Sequence, residues 1–149
     1  MSEPVLRVVD DSAGTPATLI DSCILLDIAT EDATWADWAA NAVAHVLDEG
    51  RAVINPLVFA EVSVGYSSIE ELDHALPTDD FERETLPYEA GFLAGKAFLA
   101  YRKRGGTKRS PLPDFYIGAH AAVRSYRLLT RDTARFRTYF PTLDVMAPP

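Results

Sequence analysis

The chain has 149 residues, 48% of them hydrophobic, which is enough for one domain with a core of its own. No apolar stretch approaches the roughly 20 residues that span a bilayer, and the first residues lack the basic and apolar regions of a secretory signal. The net charge is −8, and the single cysteine, Cys23, excludes an internal disulfide. We therefore expect a cytoplasmic globular protein.

Apolar periodicity and turn residues predict strands that alternate with helices. Apolar residues recur at spacings of three and four in residues 32–49, as in an amphipathic helix, and Gly50 ends that pattern. Pro56 and Pro113 suit the first turns of helices, and Gly105 follows another. The predicted elements are, in order, strand 17–20, helix 22–28, helix 32–49, strand 51–55, helix 56–66, helix 67–78, helix 87–104, helix 113–125, strand 126–130, helix 132–140 and strand 143–146.

Three segments do not follow this pattern. Residues 1–16 precede it, and within them residues 5–9 favour an edge strand and an irregular chain equally. Residues 81–85 are ambiguous, and residues 105–112 predict a basic loop. Strands that alternate with helices indicate an α/β protein, with a parallel sheet covered on both faces.

The charge is divided unevenly along the chain. Residues 1–100 carry a balance of −15, whereas residues 101–149 carry +7. Because a phosphate backbone responds to the local field, the segment YRKRGGTKR at residues 101–109 could face a polyanion. A solvated positive face, or one paired with the acidic half or an acidic partner, explains the pattern equally well. The later basic residues are Arg124, Arg127, Arg131, Arg135 and Arg137.

Two carboxylates in the first half of the chain lie in apolar surroundings. Asp21 follows the first strand, at the end of the strands where open α/β sheets bind ligands, although capping the next helix would also explain it. Glu61 lies in the apolar helix pattern of residues 56–66, where burying an unpaired charge costs several kcal/mol. A solvent-facing position, a structural ion pair or a bound metal would each avoid that cost.

Two further carboxylates lie at predicted helix starts. Asp114 follows Pro113, and Asp132 follows the strand at residues 126–130, so each could simply stabilise a helix N-terminus. The four together are more specific, because carboxylates crowded at one edge of a sheet raise one another's pKa unless a cation neutralises them. Oxygen ligands without a His or Cys cluster favour Mg²⁺ or Mn²⁺. We predict that the ligands are Asp21, Glu61, Asp114 and Asp132.

The stretches LIDSCILLDI, INPLVFAEVSVGY, PLPDFYIGAHA and LLTRDTARF resemble the four motifs of PIN-domain ribonucleases, and more closely those of VapC toxins of type II toxin–antitoxin systems. The resemblance runs from about residue 17 to 147 in the family's motif order. It implies a PIN-like (Rossmann-like) parallel five-stranded sheet flanked by helices, with residues 17–149 as a single PIN domain and residues 1–16 as an extension. The family's four acids fall on the residues predicted above, and Ser22 and Thr130 occupy its supporting hydroxyl positions.

The same resemblance implies a metal-dependent endoribonuclease toxin that cleaves RNA with water activated by Mg²⁺ or Mn²⁺. A cognate antitoxin would inhibit it, and a homodimer is expected. Tyr101 and Tyr116 could stack on unpaired bases, but each is more typical of packing. The residues expected to position the RNA backbone are Arg102, Lys103, Arg104, Lys108 and Arg109.

Two other functions fit parts of the pattern. A non-catalytic module of the same fold could receive a partner's arginine in its acidic pocket. An aspartate phosphatase or receiver would carry paired acids near the first strand, whereas Asp21 is followed by Ser22 and Cys23. The remaining candidates predict packing or surface positions: Cys23 in the core, His45, His74 and His120 without ligand spacing, and Trp35 and Trp38 in the core or at a partner surface.

Overall fold

The structure, a computed structural model, describes residues 15–109 and 112–149. The undecided segment at residues 5–9 lies outside these ranges, as does most of the predicted N-terminal extension. The elements are β1 (Ala17–Ile20), α1 (Ser22–Ala29), α2 (Ala36–Glu49), β2 (Arg51–Ile54), α3 (Pro56–Ser63), α4 (Ile69–Ala75), β3 (Phe81–Arg83), α5 (Tyr88–Lys103), α6 (Pro113–Arg124), β4 (Arg127–Leu129), α7 (Ala134–Tyr139) and β5 (Val145–Met146).

The five strands form one parallel sheet in the order β3-β2-β1-β4-β5. In the centre of the sheet, Leu19 of β1 is opposite Val53 of β2 and Leu128 of β4. These residues are almost completely buried, because helices cover both faces of a parallel sheet and its central strands meet no water. The predicted α/β class and five-stranded parallel sheet are confirmed.

The helix boundaries differ from the predictions where side chains or tight turns intervene. Helix α2 begins at Ala36 rather than at residue 32, since the Asp32 carboxylate accepts hydrogen bonds from the backbone N–H groups of Thr34 and Trp35 and holds a turn there. Helix α3 ends at Ser63, three residues early, and short-range turn bonds follow it. The ambiguous residues 81–85 contain strand β3.

Gly50 allows α2 to return closely to the sheet. A Cβ atom at this position would overlap the backbone of Pro16, whose carbonyl oxygen accepts a hydrogen bond from Arg51 N–H at 2.8 Å. Glycine therefore permits the contact that aligns β2 beside β1. Within the described ranges, no helix is long and apolar enough to cross a membrane. Trp35 and Trp38 are half-buried.

Candidate active site

Polar residues follow three neighbouring strands of the sheet. Asp21 comes after β1, Asn55 after β2 and Thr130 after β4, and all three are buried. Because the strands are parallel and adjacent, these positions lie at one edge of the sheet, where ligands of open α/β sheets bind. Sequence reasoning missed Asn55, although it follows an apolar strand as Asp21 does.

The Asp21 carboxylate is held by three donors. It accepts hydrogen bonds from the backbone N–H of Ser22 at 2.8 Å and from the Thr130 hydroxyl at 2.7 Å, and Cys23 Sγ lies 3.5 Å from its second oxygen. Burial raises the pKa of Asp21, and the bonds from Thr130 and Ser22 oppose that rise. Asp21 therefore caps α1 and also joins the end of β4.

Cys23 packs against the core, as expected, without being fully enclosed. The side chain is half-buried, and burial together with the charge of Asp21 raises the pKa of its thiol to about 11. A thiol with that pKa stays protonated at neutral pH and can serve as a weak donor to Asp21. Its role in this arrangement is to support the carboxylate rather than to act as a nucleophile.

The two hydroxyls tie the acidic residues to different elements. Ser22 on α1 donates to Glu61 Oε1 on α3 at 2.7 Å, so Glu61 is half-buried with a hydrogen-bond partner rather than unpaired in the core. Thr130 Oγ1 accepts a bond from Asp132 N–H at 3.1 Å while it donates to Asp21. The hydroxyls thus orient the carboxylates of Asp21 and Glu61.

Asp114, near the start of α6, lies within the electrostatic field of the other three acids. The pKa of Asp114 is raised to about 6, mainly by burial and next by the charge of Asp21. Glu61 and Asp132 also raise this pKa, whereas Arg135 lowers it. The guanidinium of Arg135 donates to Asp114 Oδ2 at 3.3 Å. The positive charge of Arg135 is therefore too small to cancel the effects of burial and of the three neighbouring carboxylates on Asp114.

The four acids lie close enough for the charges of three of them to affect the pKa of Asp114, but they do not surround one shared position for a cation. In the part of the chain that the structure describes, no three His, Cys, Asp or Glu side chains are placed to hold a metal ion. Asp21 already accepts bonds from the Thr130 hydroxyl, the Ser22 N–H and the Cys23 thiol. Arg135 contacts Asp114, and Asp132 is exposed. The all-oxygen donor set and the raised pKa of Asp114 still suit a hard divalent cation.

A buried polar chain supports the neighbouring strand ends. Asn55 Oδ1 accepts from Val58 N–H at 2.9 Å and caps α3, while Asn55 Nδ2 lies 3.0 Å from His120 Nδ1 on α6. His120 Nε2 lies 3.2 Å from Glu84 Oε1, just after β3. His120 is completely buried, and this burial lowers its pKa, so the ring is neutral and donates to Glu84.

A part-buried ion pair fixes the chain between β4 and α7. Arg131 binds the buried Asp27 carboxylate through two bonds of 2.8 and 3.0 Å, and its guanidinium lies over the Trp35 ring at 5.3 Å. This pair places the backbone on which Asp132 lies. No sequence pattern indicated it, because the partners are more than a hundred residues apart.

All but Arg137 of the basic residues after residue 100 fall into two groups. Four later arginines form ion pairs with carboxylates, as the pairing interpretation of the basic half expected: Arg124 with Glu84, Arg127 with Glu49, Arg131 with Asp27 and Arg135 with Asp114. The group at the end of α5 is exposed, and among the described residues none of its members forms an ion pair. These are Arg102, Lys103, Arg104, Lys108 and Arg109.

A family model describes most of this architecture. The model of the PIN domain matches residues 18–140. The chain belongs to the PIN-domain family. Among curated protein sequences, none matches this PIN domain.

Several solved structures share the fold of this PIN domain. One is VapBC2 from Rickettsia felis bound to a promoter DNA fragment, with a TM-score of 0.69 and 17% identity over 89% of this chain and 99% of that chain. Another is VapBC-1 from nontypeable Haemophilus influenzae, with a TM-score of 0.66 and 19% identity over 88% and 97%. A toxin–antitoxin complex from Klebsiella pneumoniae has a TM-score of 0.65 and 21% identity over 89% and 98%.

Proposed function

We propose that this PIN domain is the endoribonuclease toxin of a toxin–antitoxin pair, of the VapC type, and that it hydrolyses RNA with Mg²⁺ or Mn²⁺. The observation that carries the proposal is the gathering of four carboxylates at the carboxyl edge of the sheet, where burial of Asp114, followed by the charges of Asp21, Glu61 and Asp132, raises the pKa of Asp114 to about 6. The family membership and the shared fold with toxin–antitoxin complexes support it.

The residues that would hold the cation are Asp21, Glu61 and Asp114, with Asp132 directly or through water. A divalent cation at such a site polarises the phosphodiester and activates water for in-line attack. Thr130 and Ser22 would keep the carboxylates of Asp21 and Glu61 oriented toward it. Asp114 would exchange its contact with Arg135 for the cation.

The exposed basic group at the end of α5 would position the RNA backbone. Its side chains are free of carboxylate partners within the described residues, so binding a phosphate breaks no ion pair there. Backbone contacts of this kind supply affinity without sequence preference. We also propose a cognate antitoxin as inhibitor and a homodimer as the working assembly, in line with the fold shared with toxin–antitoxin complexes.

The proposal is tested by incubating the protein with RNA in Mg²⁺, in Mn²⁺ and in EDTA. We expect cleavage only with a metal, and Asp21→Asn and Asp114→Asn should each lower the rate by more than the roughly 10- to 100-fold that loss of an outer-sphere partner costs. Asp144→Asn, at an exposed acid away from the cluster, is the control and should cleave normally. Undiminished cleavage by Asp21→Asn would refute the metal site.

The Arg135–Asp114 contact favours one second candidate. An arginine already reaches the acidic cluster from the same chain, so a partner's arginine could occupy it in a non-catalytic binding module. Such a module would retain its partner in EDTA and turn over no RNA with any metal. The cleavage assay above separates the two functions directly.

A further inference from the structure

An open surface pocket of about 330 Å³, called the cavity below, lies beside the acidic cluster, between the end of α5 and helix α7. Its volume is close to the lower limit of about 300 Å³ for pockets that hold small molecules. Its walls combine aromatic rings, a cation, an anion and a hydroxyl. The lining residues are Tyr101, Asp132, Ala134, Arg135, Thr138 and Tyr139.

The aromatic walls are held in place from behind. Tyr139 packs edge-on against Phe115, with ring centroids 5.2 Å apart, and Tyr101 lies 6.5 Å from Tyr139. Phe115 is completely buried, so both tyrosines rest on the core. Rings fixed in this way lose little freedom when a planar base packs on them. Stacking of a base on an aromatic side chain contributes about 1–3 kcal/mol.

Arg135 connects the cavity to the acids. Its guanidinium contacts Asp114 at 3.3 Å, longer than the roughly 2.7–2.9 Å of a strong charge-assisted bond. A guanidinium has five N–H donors, so a phosphate in the cavity could bind it too. That phosphate would then lie next to the carboxylates proposed to hold the cation. Asp132, on the same wall, could accept bonds from base amino groups.

The rim of the cavity is positively charged. The Arg104 guanidinium lies 5.7 Å from the centre of the Tyr139 ring, and the neighbouring Lys103, the last residue of α5, is exposed. Cations at the rim and at Arg135 favour a polyanion. An acidic peptide shares that charge, but a nucleotide also matches the two rings and the acceptor at Asp132.

We propose that this cavity binds one unpaired nucleotide of the substrate, with its base stacked on Tyr139, its edge toward the Tyr101 ring, which is inclined by 65° to that of Tyr139, and its phosphate at Arg135. The inference rests on the proposed ribonuclease function and deepens it, because a base lodged in the cavity cannot be paired.

The test uses a short RNA that contains 2-aminopurine, whose fluorescence falls on stacking, titrated with the protein in EDTA so that binding is measured without cleavage. Thr138→Trp fills the cavity from an exposed position on α7, and Ser63→Trp places the same side chain at an exposed position on α3. We expect quenching by the parent protein and by Ser63→Trp, and affinity lower by about 5- to 150-fold for Thr138→Trp.

A second pair of variants separates the ring from the hydroxyl. Tyr139→Phe keeps the packing on Phe115 and should bind as the parent does, whereas Tyr139→Leu should weaken binding. If Tyr139→Leu fails to fold, Thr138→Trp alone decides. Equal binding by Thr138→Trp and the parent would overturn the inference, and so would equal affinity for an RNA duplex.

Two further outcomes are informative. If a poly(Glu-Tyr) peptide binds more tightly than the RNA and Thr138→Trp abolishes that binding, the cavity is a protein-binding site and the inference fails. RNA cleavage in Mg²⁺ is measured on the same preparations. If the protein cleaves RNA but Thr138→Trp does not weaken RNA binding, only the proposed nucleotide site is refuted. If RNA binding quenches the fluorescence but no metal supports cleavage, the ribonuclease function is refuted and the nucleotide site remains.

Discussion

Asp114 lies where three carboxylates and one guanidinium act on the same side chain. Its pKa is raised by burial and by Asp21 from the ordinary 3.8 to about 6, despite Arg135. An acid with a raised pKa binds its proton more tightly in the folded state, so the free energy of unfolding falls as the pH rises from about 4 to about 6. Above that range the cost is constant.

We therefore predict that Asp114→Asn stabilises the metal-free protein at pH 7 by about 1–3 kcal/mol, because about two pKa units correspond to that free energy. The gain should vanish near pH 4. Urea unfolding in EDTA between pH 4 and pH 8 measures it, with Asp144→Asn as an exposed control expected within about 0.5 kcal/mol of the parent. A less stable Asp114→Asn at pH 7 would mean that the bond to Arg135 outweighs the crowding.

At the scale of elements, Asn55 joins two helices that carry proposed ligands. Its Oδ1 atom caps α3, which carries Glu61, and its Nδ2 atom contacts His120 on α6, which carries Asp114. The contact is buried on both sides. Loss of Asn55 therefore removes a cap and also leaves a ring nitrogen of His120 without its partner.

We predict that Asn55→Ala lowers the free energy of unfolding by about 2–4 kcal/mol, the sum of a lost cap and an unsatisfied buried nitrogen. The Ser68 hydroxyl is an exposed cap of α4 and accepts a hydrogen bond from Glu71 N–H at 3.1 Å. Ser68→Ala removes this cap and should lower the free energy of unfolding by only about 1 kcal/mol. Chemical denaturation of both variants measures the difference. Equal losses would show that the contact with His120 contributes nothing.

Across the whole molecule, the fold distributes the basic half of the chain over two uses. Four arginines pair with acids and so hold strands and helices together. Three of these acids lie in the first hundred residues, and the fourth is Asp114. The group at the end of α5 stays exposed beside the acidic cluster. A net charge of −8 therefore coexists with a locally positive surface.

We predict that Lys103→Ala lowers the slope of log affinity against log salt for single-stranded RNA by about 0.7, the value for one phosphate contact. Arg51, at the first residue of β2 and paired with Glu82, lies at the opposite edge of the sheet from Asp21. Arg51→Ala should leave the slope unchanged. Filter binding in EDTA at several salt concentrations measures both slopes. An unchanged slope for Lys103→Ala would mean that Lys103 makes no contact with the RNA backbone.

Local patterns predicted the elements well where they were long or strongly apolar. Strand β1 and helix α5 follow directly from their residues, whereas β3 has three residues of which only Phe81 is buried, too few for a period to emerge. The start of α2 was misplaced because the Asp32 side chain competes for the backbone N–H groups. Such competition depends on conformation and leaves no periodic signal.

The sequence by itself determined the α/β class, the parallel sheet and the strand-end placement of Asp21 and Thr130, because alternation of strands and helices and the residues at strand ends are local properties. The resemblance of its four motifs indicated the PIN family. Only the tertiary structure decided which polar side chains meet. The contacts of Arg135 with Asp114, Arg131 with Asp27 and Asn55 with His120 join side chains 21, 104 and 65 positions apart. Their distances are fixed by how helices pack on the sheet, and sequence spacing carries no record of that packing.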